Sequence, residues 1–136
     1  MIVVDANIIS YLWIPGHESF KSRELLVKDP DWWVPALYKS EMQSVLLLHV
    51  RKQIIEYEVA VQLMTKIENQ FKFHVREIPS NIVLKLGSQT KCSAYDCEYA
   101  GLSLMLGCPL ITYDKKLLNT FPQFASTAVA FLEDQN

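Results

Sequence analysis

The sequence is poor in cysteine, and its cysteines do not form pairs. Three stand at positions 92, 97 and 108. An odd number so placed does not make a disulfide framework, and it suits a reducing compartment. Cys92 and Cys97 also lack the second pair that a structural zinc site needs, so buried free thiols are favoured. We therefore expect a cytoplasmic protein.

Long apolar runs, phosphate-binding glycine loops and an excess of basic residues are missing as well. No run approaches the ~20 apolar residues of a membrane helix, and the opening Met-Ile-Val-Val-Asp lacks the pattern of a signal peptide. The formal net charge of −2 disfavours tight, non-specific binding to nucleic acid, because such binding depends on Lys and Arg. A cluster of acids with bound metal would reverse the local sign, so net charge does not decide the function. We expect a soluble, unexported protein.

The sequence does contain enough apolar surface for a folded domain. Half of its 136 residues are hydrophobic, and proline, glycine and charge are spread evenly along it. No change in composition marks a linker or a disordered tail. We expect a single domain over residues 1–136.

Short apolar runs alternate with helical patterns along the chain. The runs predict strands at residues 2–4, 32–35, 73–78, 109–113 and 126–132. Periodicity and capping residues predict helices between residues 7 and 12, at 19–28, from Ser40 through His49, at 56–71, from Ser80 to about Leu86, from Ser93 to the stop at Gly107, and from Lys115 onward. We therefore expect an α/β fold: a three-layer sandwich with a central, mostly parallel sheet of four to five short strands and helices on both faces.

Two of these helices carry more specific expectations. Ser40 followed by Gln43 fits a capping box, and Ser93 is placed to cap its own helix. Leu47 and Leu48 add a second apolar face to the helix that follows Ser40. We expect that helix to be covered on two sides.

Four acidic residues occupy positions where ligands bind in such folds. Asp5 and Asp114 directly follow predicted strands, and ligands of open parallel sheets bind beyond the carboxyl ends of the strands. Glu41 and Asp96 stand in the first turns of predicted helices, where the helix macrodipole favours an acid by ~0.3–1 kcal/mol. Taken singly, each acid is explained better by a turn, a cap or the dipole.

Taken together, the four acids indicate a metal site. Four carboxylates on four elements that face the same edge of one sheet would repel each other and raise their pKa values. A hard dication removes this repulsion, and oxygen atoms are the ligands that Mg²⁺ and Mn²⁺ prefer. Two such ions activate a water and stabilise the leaving oxygen of a phosphoryl displacement. The pattern therefore predicts a metallonuclease.

The stretches that carry these acids resemble a known family. Four segments are similar, in this order, to the PIN-domain ribonucleases, especially the VapC-type toxins of prokaryotic toxin-antitoxin pairs: IVVDANIISYL (2–12), VPALYKSEMQSVL (34–46), SAYDCEYAGLSLMLGCPLITYDKKL (93–117) and the tail STAVAFL. No single fragment is diagnostic, because each contains little beyond one acid in apolar surroundings. The ordered set is specific, and it spans nearly the whole chain.

The resemblance implies a metal, a substrate and partners. Members of this family bind Mg²⁺ or Mn²⁺ through four acids and hydrolyse single-stranded or structured RNA. The matching positions here hold four acids and two polar helpers: Asp5, Glu41, Asp96 and Asp114, with Asn7 and Thr112. The family also implies a small cognate antitoxin and a homodimer built from helical faces.

The sequence departs from the family pattern directly after Asp96. Cys97 and Glu98 stand where many relatives carry small apolar residues. Two residues along a helix rotate Glu98 by roughly 200° from Asp96, so we favour the protein surface over a supporting role for this extra acid.

Two other functions stay open. A PIN-like module that has lost catalysis would bind protein or RNA without cleaving it, although the intact set of four acids speaks against this. An aspartate phosphatase or phosphoacceptor that uses Asp5 would need a second aspartate two residues on, where Asn7 stands.

Aromatic and basic residues are weaker candidates for contact with RNA. Trp13, Trp32 and Trp33 would stack on bases, but aromatic residues beside a buried strand are more often part of the core. Several basic side chains would contact the RNA backbone, although a solvated face explains them equally well: Lys39, Arg51, Lys52, Lys115 and Lys116.

Overall fold

The fold is built around one central sheet in the computed structural model, which describes residues 1–16 and 18–134. The sheet has five short strands: β1 Ile2–Val4, β2 Trp32–Pro35, β3 Val75–Arg76, β4 Leu110–Ile111 and β5 Ala125–Ser126. They lie in the order β3-β2-β1-β4-β5, and every neighbouring pair is parallel. The first strand of the chain is therefore the middle strand of the sheet.

Helices connect the strands and cover the sheet. Within the described ranges they are α1 Ala6–Trp13, α2 Ser19–Lys28, α3 Tyr38–Arg51, α4 Tyr57–Gln70, α5 Ser80–Gln89, α6 Ala94–Leu106, α7 Lys115–Thr120 and α8 Ala128–Asp134. The predicted bounds of α2 and β2 are confirmed to the residue.

Two hydrophobic cores lie on opposite faces of the sheet, because successive side chains of a strand point in opposite directions. Ile2 and Val4 of β1 are buried in one core with side chains from α1, α2, α3, α4 and α8. Val3 is buried in the other core with Leu110 of β4 and side chains from α6 and α7. The predicted α/β sandwich with helices on both faces is confirmed.

The expected cap of α3 at Ser40 is wrong. The helix begins at Tyr38 with Leu37 in the cap position and no side-chain cap, so Ser40 lies inside the first turn. Only residues 36 and 37 separate β2 from α3, so the helix starts two residues earlier than the capping pattern indicates. Glu41 remains in the first turn, as expected.

The last predicted strand, at 126–132, is mostly helix. After the two residues of β5 the chain enters α8. The hydroxyl of Thr127 accepts a hydrogen bond from the backbone N–H of Ala130 at 3.1 Å and so caps the first turn. A short apolar run fits a buried strand or a buried helix, and the cap decides between them here.

Two other boundaries differ from the prediction, and one is confirmed. The strand expected at 73–78 shrinks to β3, and Phe73 is 77% exposed. Helix α5 runs past Gly87 to Gln89, since a helix tolerates an interior glycine. Gly107 ends α6 in the left-handed conformation with φ 63°, as expected of a helix stop.

Helix α3 is covered on one side within the described chain. Met42 and Leu46 are buried, as their spacing predicts, whereas Leu47 and Leu48 are 45% and 48% exposed. The expectation that this helix is covered on two sides is therefore wrong for a single chain.

The three cysteines are free thiols, and all three pack in one core, Cys108 at its edge. Cys92 and Cys97 are buried in the same core. They flank the Ser93 cap at the two positions of a hydrophobic staple, which fixes how the chain enters α6. Among the helices of residues 1–16 and 18–134, none combines the length and the apolar character needed to cross a membrane.

Two glycines provide a matched test of the packing between α5 and α6. A Cβ atom added at Gly101 would lie 3.0 Å from Cγ2 of Ile78 and 3.1 Å from Cγ2 of Ile82, whereas at Gly87 the nearest atom is Sγ of Cys97 at 3.8 Å. Gly101→Val should lower the free energy of unfolding by ~1–3 kcal/mol through overpacking. Gly87→Ala should raise it by ~0.5–1 kcal/mol through helix propensity. Urea denaturation measures both, and an unchanged Gly101→Val variant would contradict the tight packing.

Candidate active site

Asp5 lies at the carboxyl end of the central strand, where the chain leaves the sheet. Its side chain is buried. Oδ1 accepts a hydrogen bond from the backbone N–H of Ala6 at 2.7 Å, and Oδ2 accepts one from the hydroxyl of Thr112 at 2.6 Å. Two donors from different elements therefore fix the orientation of this carboxylate.

Thr112 and Asn7 join the ends of β1 and β4 into one hydrogen-bond network. The buried hydroxyl of Thr112 also accepts a hydrogen bond from the backbone N–H of Asp114 at 2.9 Å. The amide of Asn7 donates to Oδ2 of Asp5 at 3.5 Å, and its oxygen accepts from the backbone N–H of Tyr113 at 3.4 Å. Both polar helpers thus contact the strand ends that carry Asp5 and Asp114.

Asp114 and Asp96 lie at the starts of α7 and α6. Oδ1 of Asp114 accepts hydrogen bonds from the backbone N–H groups of Lys116 at 2.8 Å and Leu117 at 3.2 Å. The backbone N–H of Asp96 donates to the hydroxyl of Ser93 at 3.1 Å, which confirms Ser93 as the cap of α6. Asp114 therefore has the capping role that its position indicates, and one of its oxygens is engaged in it.

Glu41 has a partner that the sequence analysis missed. The hydroxyl of Tyr99 donates a hydrogen bond to Oε1 of Glu41 at 2.6 Å, while the ring of Tyr99 is buried and 1% exposed. Burial raises the pKa of Tyr99 well above its usual value, and the charge of Glu41 adds to this, so the hydroxyl keeps its proton and remains a donor. The sequence does contain one signal for Tyr99, which stands three residues after Asp96 and therefore on the same side of α6.

The acids are close enough for their charges to interact. Burial raises the pKa of Asp5; the hydrogen bonds from Thr112 and Ala6 oppose this, and the charges of Asp114 and Asp96 raise the pKa further. Burial likewise raises the pKa of Glu41 to about 6, against the hydrogen bond from Tyr99. The charges of Asp5 and Asp96 contribute to that rise as well. All four predicted acids therefore belong to one electrostatic group at the carboxyl edge of the sheet.

The donor set suits a hard divalent cation, although it is not a preformed cage. No lysine or arginine among residues 1–16 and 18–134 forms an ion pair with these acids. In the same ranges, no three His, Cys, Asp or Glu side chains are grouped closely enough to hold an ion as they stand. Carboxylate oxygens gathered without a basic partner nevertheless match the ligands that Mg²⁺ and Mn²⁺ prefer. The fit is therefore one of ligand type and charge.

Glu98 lies between the surface and the acid group. It is partly buried and lines a cavity beside Ile78 and Val83, and burial raises its pKa. Its charge also raises the pKa of Glu41. Glu98 therefore lies beside α5 while remaining partly exposed, as a surface position implies, and it still influences the group electrostatically.

The tryptophans pack and bond within the protein. Trp32 is 2% exposed. Each indole N–H has an internal acceptor: the backbone oxygen of Asp29 for Trp32 at 2.7 Å, Oδ1 of Asp31 for Trp33 at 3.0 Å, and Oε1 of Gln70 for Trp13 at 2.8 Å. These rings lie in the core or at its edge, which is the position that the sequence analysis favoured over stacking on RNA bases.

A parallel five-stranded sheet with an acidic carboxyl edge defines a class of α/β protein, and comparison with known proteins places the chain within it. The PIN domain family matches residues 2–121, and the chain belongs to that family. The chain is also 23% identical over 124 residues to Ribonuclease VapC3 of Pyrobaculum aerophilum, a match that covers 89% of this chain and 95% of that protein. The resemblance found in the sequence is confirmed.

Solved structures share the fold. PAE2754 from Pyrobaculum aerophilum superposes with a TM-score of 0.76 at 20% identity, over 97% of this chain and 87% of that one. A toxin-antitoxin complex from Klebsiella pneumoniae gives a TM-score of 0.65 at 17% identity, over 94% of this chain and 98% of that one. At these identities the likeness shows the fold alone.

Removing the hydroxyl of Tyr99 tests its contact with Glu41. In Tyr99→Phe the carboxylate loses the hydrogen bond that lowers its pKa, so the pKa of Glu41 should rise above its present value of about 6. Tyr38→Phe is a matched control, because Tyr38 is also buried but packs on Phe71 in the other core. NMR titration of the Glu41 carboxyl carbon measures the shift. Equal pKa values in both variants would contradict the contact.

The raised pKa of Glu41 also predicts a pH dependence of stability. Because the pKa in the folded state is about 6, above the ordinary value of 4.5, the folded protein binds a proton more tightly than the unfolded chain between these values. This carboxyl therefore stabilises the metal-free fold at low pH, and the contribution is lost as pH rises through 6.

Glu41→Gln should remove this loss of stability with rising pH. Relative to wild type, the variant should gain on the order of 1 kcal/mol between pH 4.5 and 6, after allowance for solvent screening of a partly exposed group. Urea denaturation of both proteins across this range, with chelator present, gives the difference. A difference that does not change with pH would contradict the raised pKa.

Proposed function

We propose that the protein is a metal-dependent endoribonuclease that acts as the toxin of a toxin-antitoxin pair. One observation carries the proposal: acids from four elements form a single electrostatic group with no basic partner among the described residues. Membership of the PIN domain family and the similarity to Ribonuclease VapC3 support RNA as the substrate.

We assign metal binding to all four acids and take the ion to be Mg²⁺ or Mn²⁺. When bound, such an ion activates a water molecule and stabilises the leaving oxygen of the phosphodiester. It also reverses the local charge, which answers the objection raised by a net charge of −2. The ligands in this assignment are Asp5, Glu41, Asp96 and Asp114.

The surrounding residues orient these acids and meet the substrate. Thr112 holds Asp5 by its hydroxyl, and Tyr99 holds Glu41 in the same way. Lys115 and Lys116 directly follow Asp114 and are exposed, so we expect their ammonium groups to contact the RNA backbone. Lys39 instead pairs with Glu68 at 3.4 Å and is a weaker candidate.

The partners in this proposal are a cognate antitoxin and a second copy of the chain. Similarity to a chain of a toxin-antitoxin complex supports the first. An apolar groove between α3 and α4 offers a surface for a protein partner, and its lining includes Leu46, Leu47, Tyr57 and Met64. The side chain of Leu47 is 45% exposed in the single chain and is therefore available to such a partner.

Asp5→Asn tests the enzymatic proposal. The wild-type protein should cut RNA in Mg²⁺ or Mn²⁺, and Asp5→Asn should lower the cleavage rate by more than the ~10- to 100-fold that loss of a residue supporting a metal ligand costs. Cleavage is followed on gels over a broad RNA panel. Glu58→Gln, which neutralises an exposed acid of α4, should cut at the wild-type rate.

The outcomes separate a nuclease from a binding module. The enzymatic proposal is lost if the wild-type protein cuts no RNA. It is also lost if Asp5→Asn still cuts every RNA that the wild-type protein cuts. Titration with Mn²⁺ by calorimetry should show binding that Asp5→Asn weakens and Glu58→Gln does not. A module that has lost catalysis would have no reason to bind Mn²⁺ through these carboxylates.

A further inference from the structure

A surface cavity of about 420 Å³ lies between the first half of α3 and the start of α6. Its walls come from Ala6, Leu37, Ser40, Ser44, Val45 and Tyr95, and Glu41 also lines it. The volume falls within the ~300–1,000 Å³ typical of pockets that bind small organic groups. The cavity is therefore large enough to take one flat ring system from a bound molecule.

This cavity is continuous with the acid group. Glu41 belongs to both, and two other wall residues are the chain neighbours of acids: Ala6 follows Asp5, and Tyr95 precedes Asp96. A phosphate at the carboxylates would therefore lie beside this cavity.

The wall chemistry fits a nucleobase. Tyr95 is 67% exposed, which leaves the faces of its ring available for stacking. Leu37 and Val45 supply apolar surface, and Ser40 and Ser44 place exposed hydroxyls along the same side of α3. Aromatic and apolar faces beside a few polar groups are what proteins use to hold unstacked bases. An apolar side chain from a protein partner would leave the two hydroxyls without a partner.

We propose that this cavity binds the base of a nucleotide next to the cleaved phosphodiester, with Tyr95 stacked on that base. The proposal rests on the proposed nuclease function and adds to it a subsite for the substrate. That nucleotide must be unpaired, because a base inside a duplex is stacked between its neighbours and cannot enter a protein cavity. Tyr95 is then a substrate-binding residue, and the four acids act on the phosphate beside it.

A cycle of base removal and tyrosine truncation tests the subsite. The probe is a short fluorescent single-stranded RNA in which abasic nucleotides replace each position in turn. Its binding to Asp5→Asn protein in Mn²⁺, where we expect the RNA to stay whole, is measured by anisotropy. Adding Tyr95→Ala should weaken binding about 5- to 140-fold. At one position of the RNA, removal of the base should weaken binding by a similar factor when residue 95 is tyrosine. It should have little effect on binding when residue 95 is alanine.

Two further variants keep the result specific. Tyr95→Phe retains the ring and should bind as tightly as the parent protein. Phe73→Ala removes an exposed aromatic ring, at 77%, from the turn between α4 and β3 and should have no effect. Three results would overturn the subsite: Tyr95→Ala binds RNA as tightly as the parent protein, Tyr95→Ala and the control alanine variant lose the same affinity, or the parent protein binds no RNA. If RNA is cut normally while base and tyrosine show no coupling, the subsite fails and the nuclease stands.

Discussion

Repulsion among carboxylates at the carboxyl edge of the sheet is the constraint on which the other features of this molecule depend. Burial raises the pKa values of Asp5 and Glu41, and the charges of neighbouring acids raise them further. Two hydroxyls act in the opposite direction, because Thr112 donates to Asp5 and Tyr99 donates to Glu41. Neutral donors, rather than lysine or arginine, thus support the acids, and in our proposal the negative charge of the group remains for a cation.

The parallel sheet is what brings these acids to one place, and much of it is predictable. Apolar runs separated by helices indicated the sheet, and the two cores follow from the alternation of side chains along β1. The boundaries that failed depend on short-range details that periodicity does not report. Ser40 has the residue type and spacing of a cap, but α3 starts two residues before it. Thr127 has the residue type but not the spacing, because Ala130 rather than Glu or Gln stands three residues on, and its hydroxyl starts α8.

Site residues could be predicted from the sequence where their neighbours along the chain indicate their role. Asp5 and Asp114 end apolar runs, and this position alone marks them. Tyr99 was missed because a tyrosine on an apolar helix face indicates core, and its ring does lie there, 1% exposed. Only its hydroxyl reaches Glu41, across 58 residues of sequence, and a contact between remote segments of chain leaves no periodic signal. Glu98 shows the same limit, because helical geometry turns it from Asp96 without revealing that it lines a surface cavity with residues of α5.

The electrostatics also bear on why acids rather than amides occupy these positions. Tyr99 needs only one acceptor oxygen from residue 41, and a glutamine there would supply it without a charge. At position 5 the N–H of Ala6 and the hydroxyl of Thr112 bond to different oxygens, so an asparagine would accept only one of these hydrogen bonds. Without a cation the charged forms are the less favourable choice, since burial and neighbouring charge both disfavour ionisation. A purely structural contact with Tyr99 would be met as well by an amide, so in our proposal a bound cation accounts for the acid at position 41.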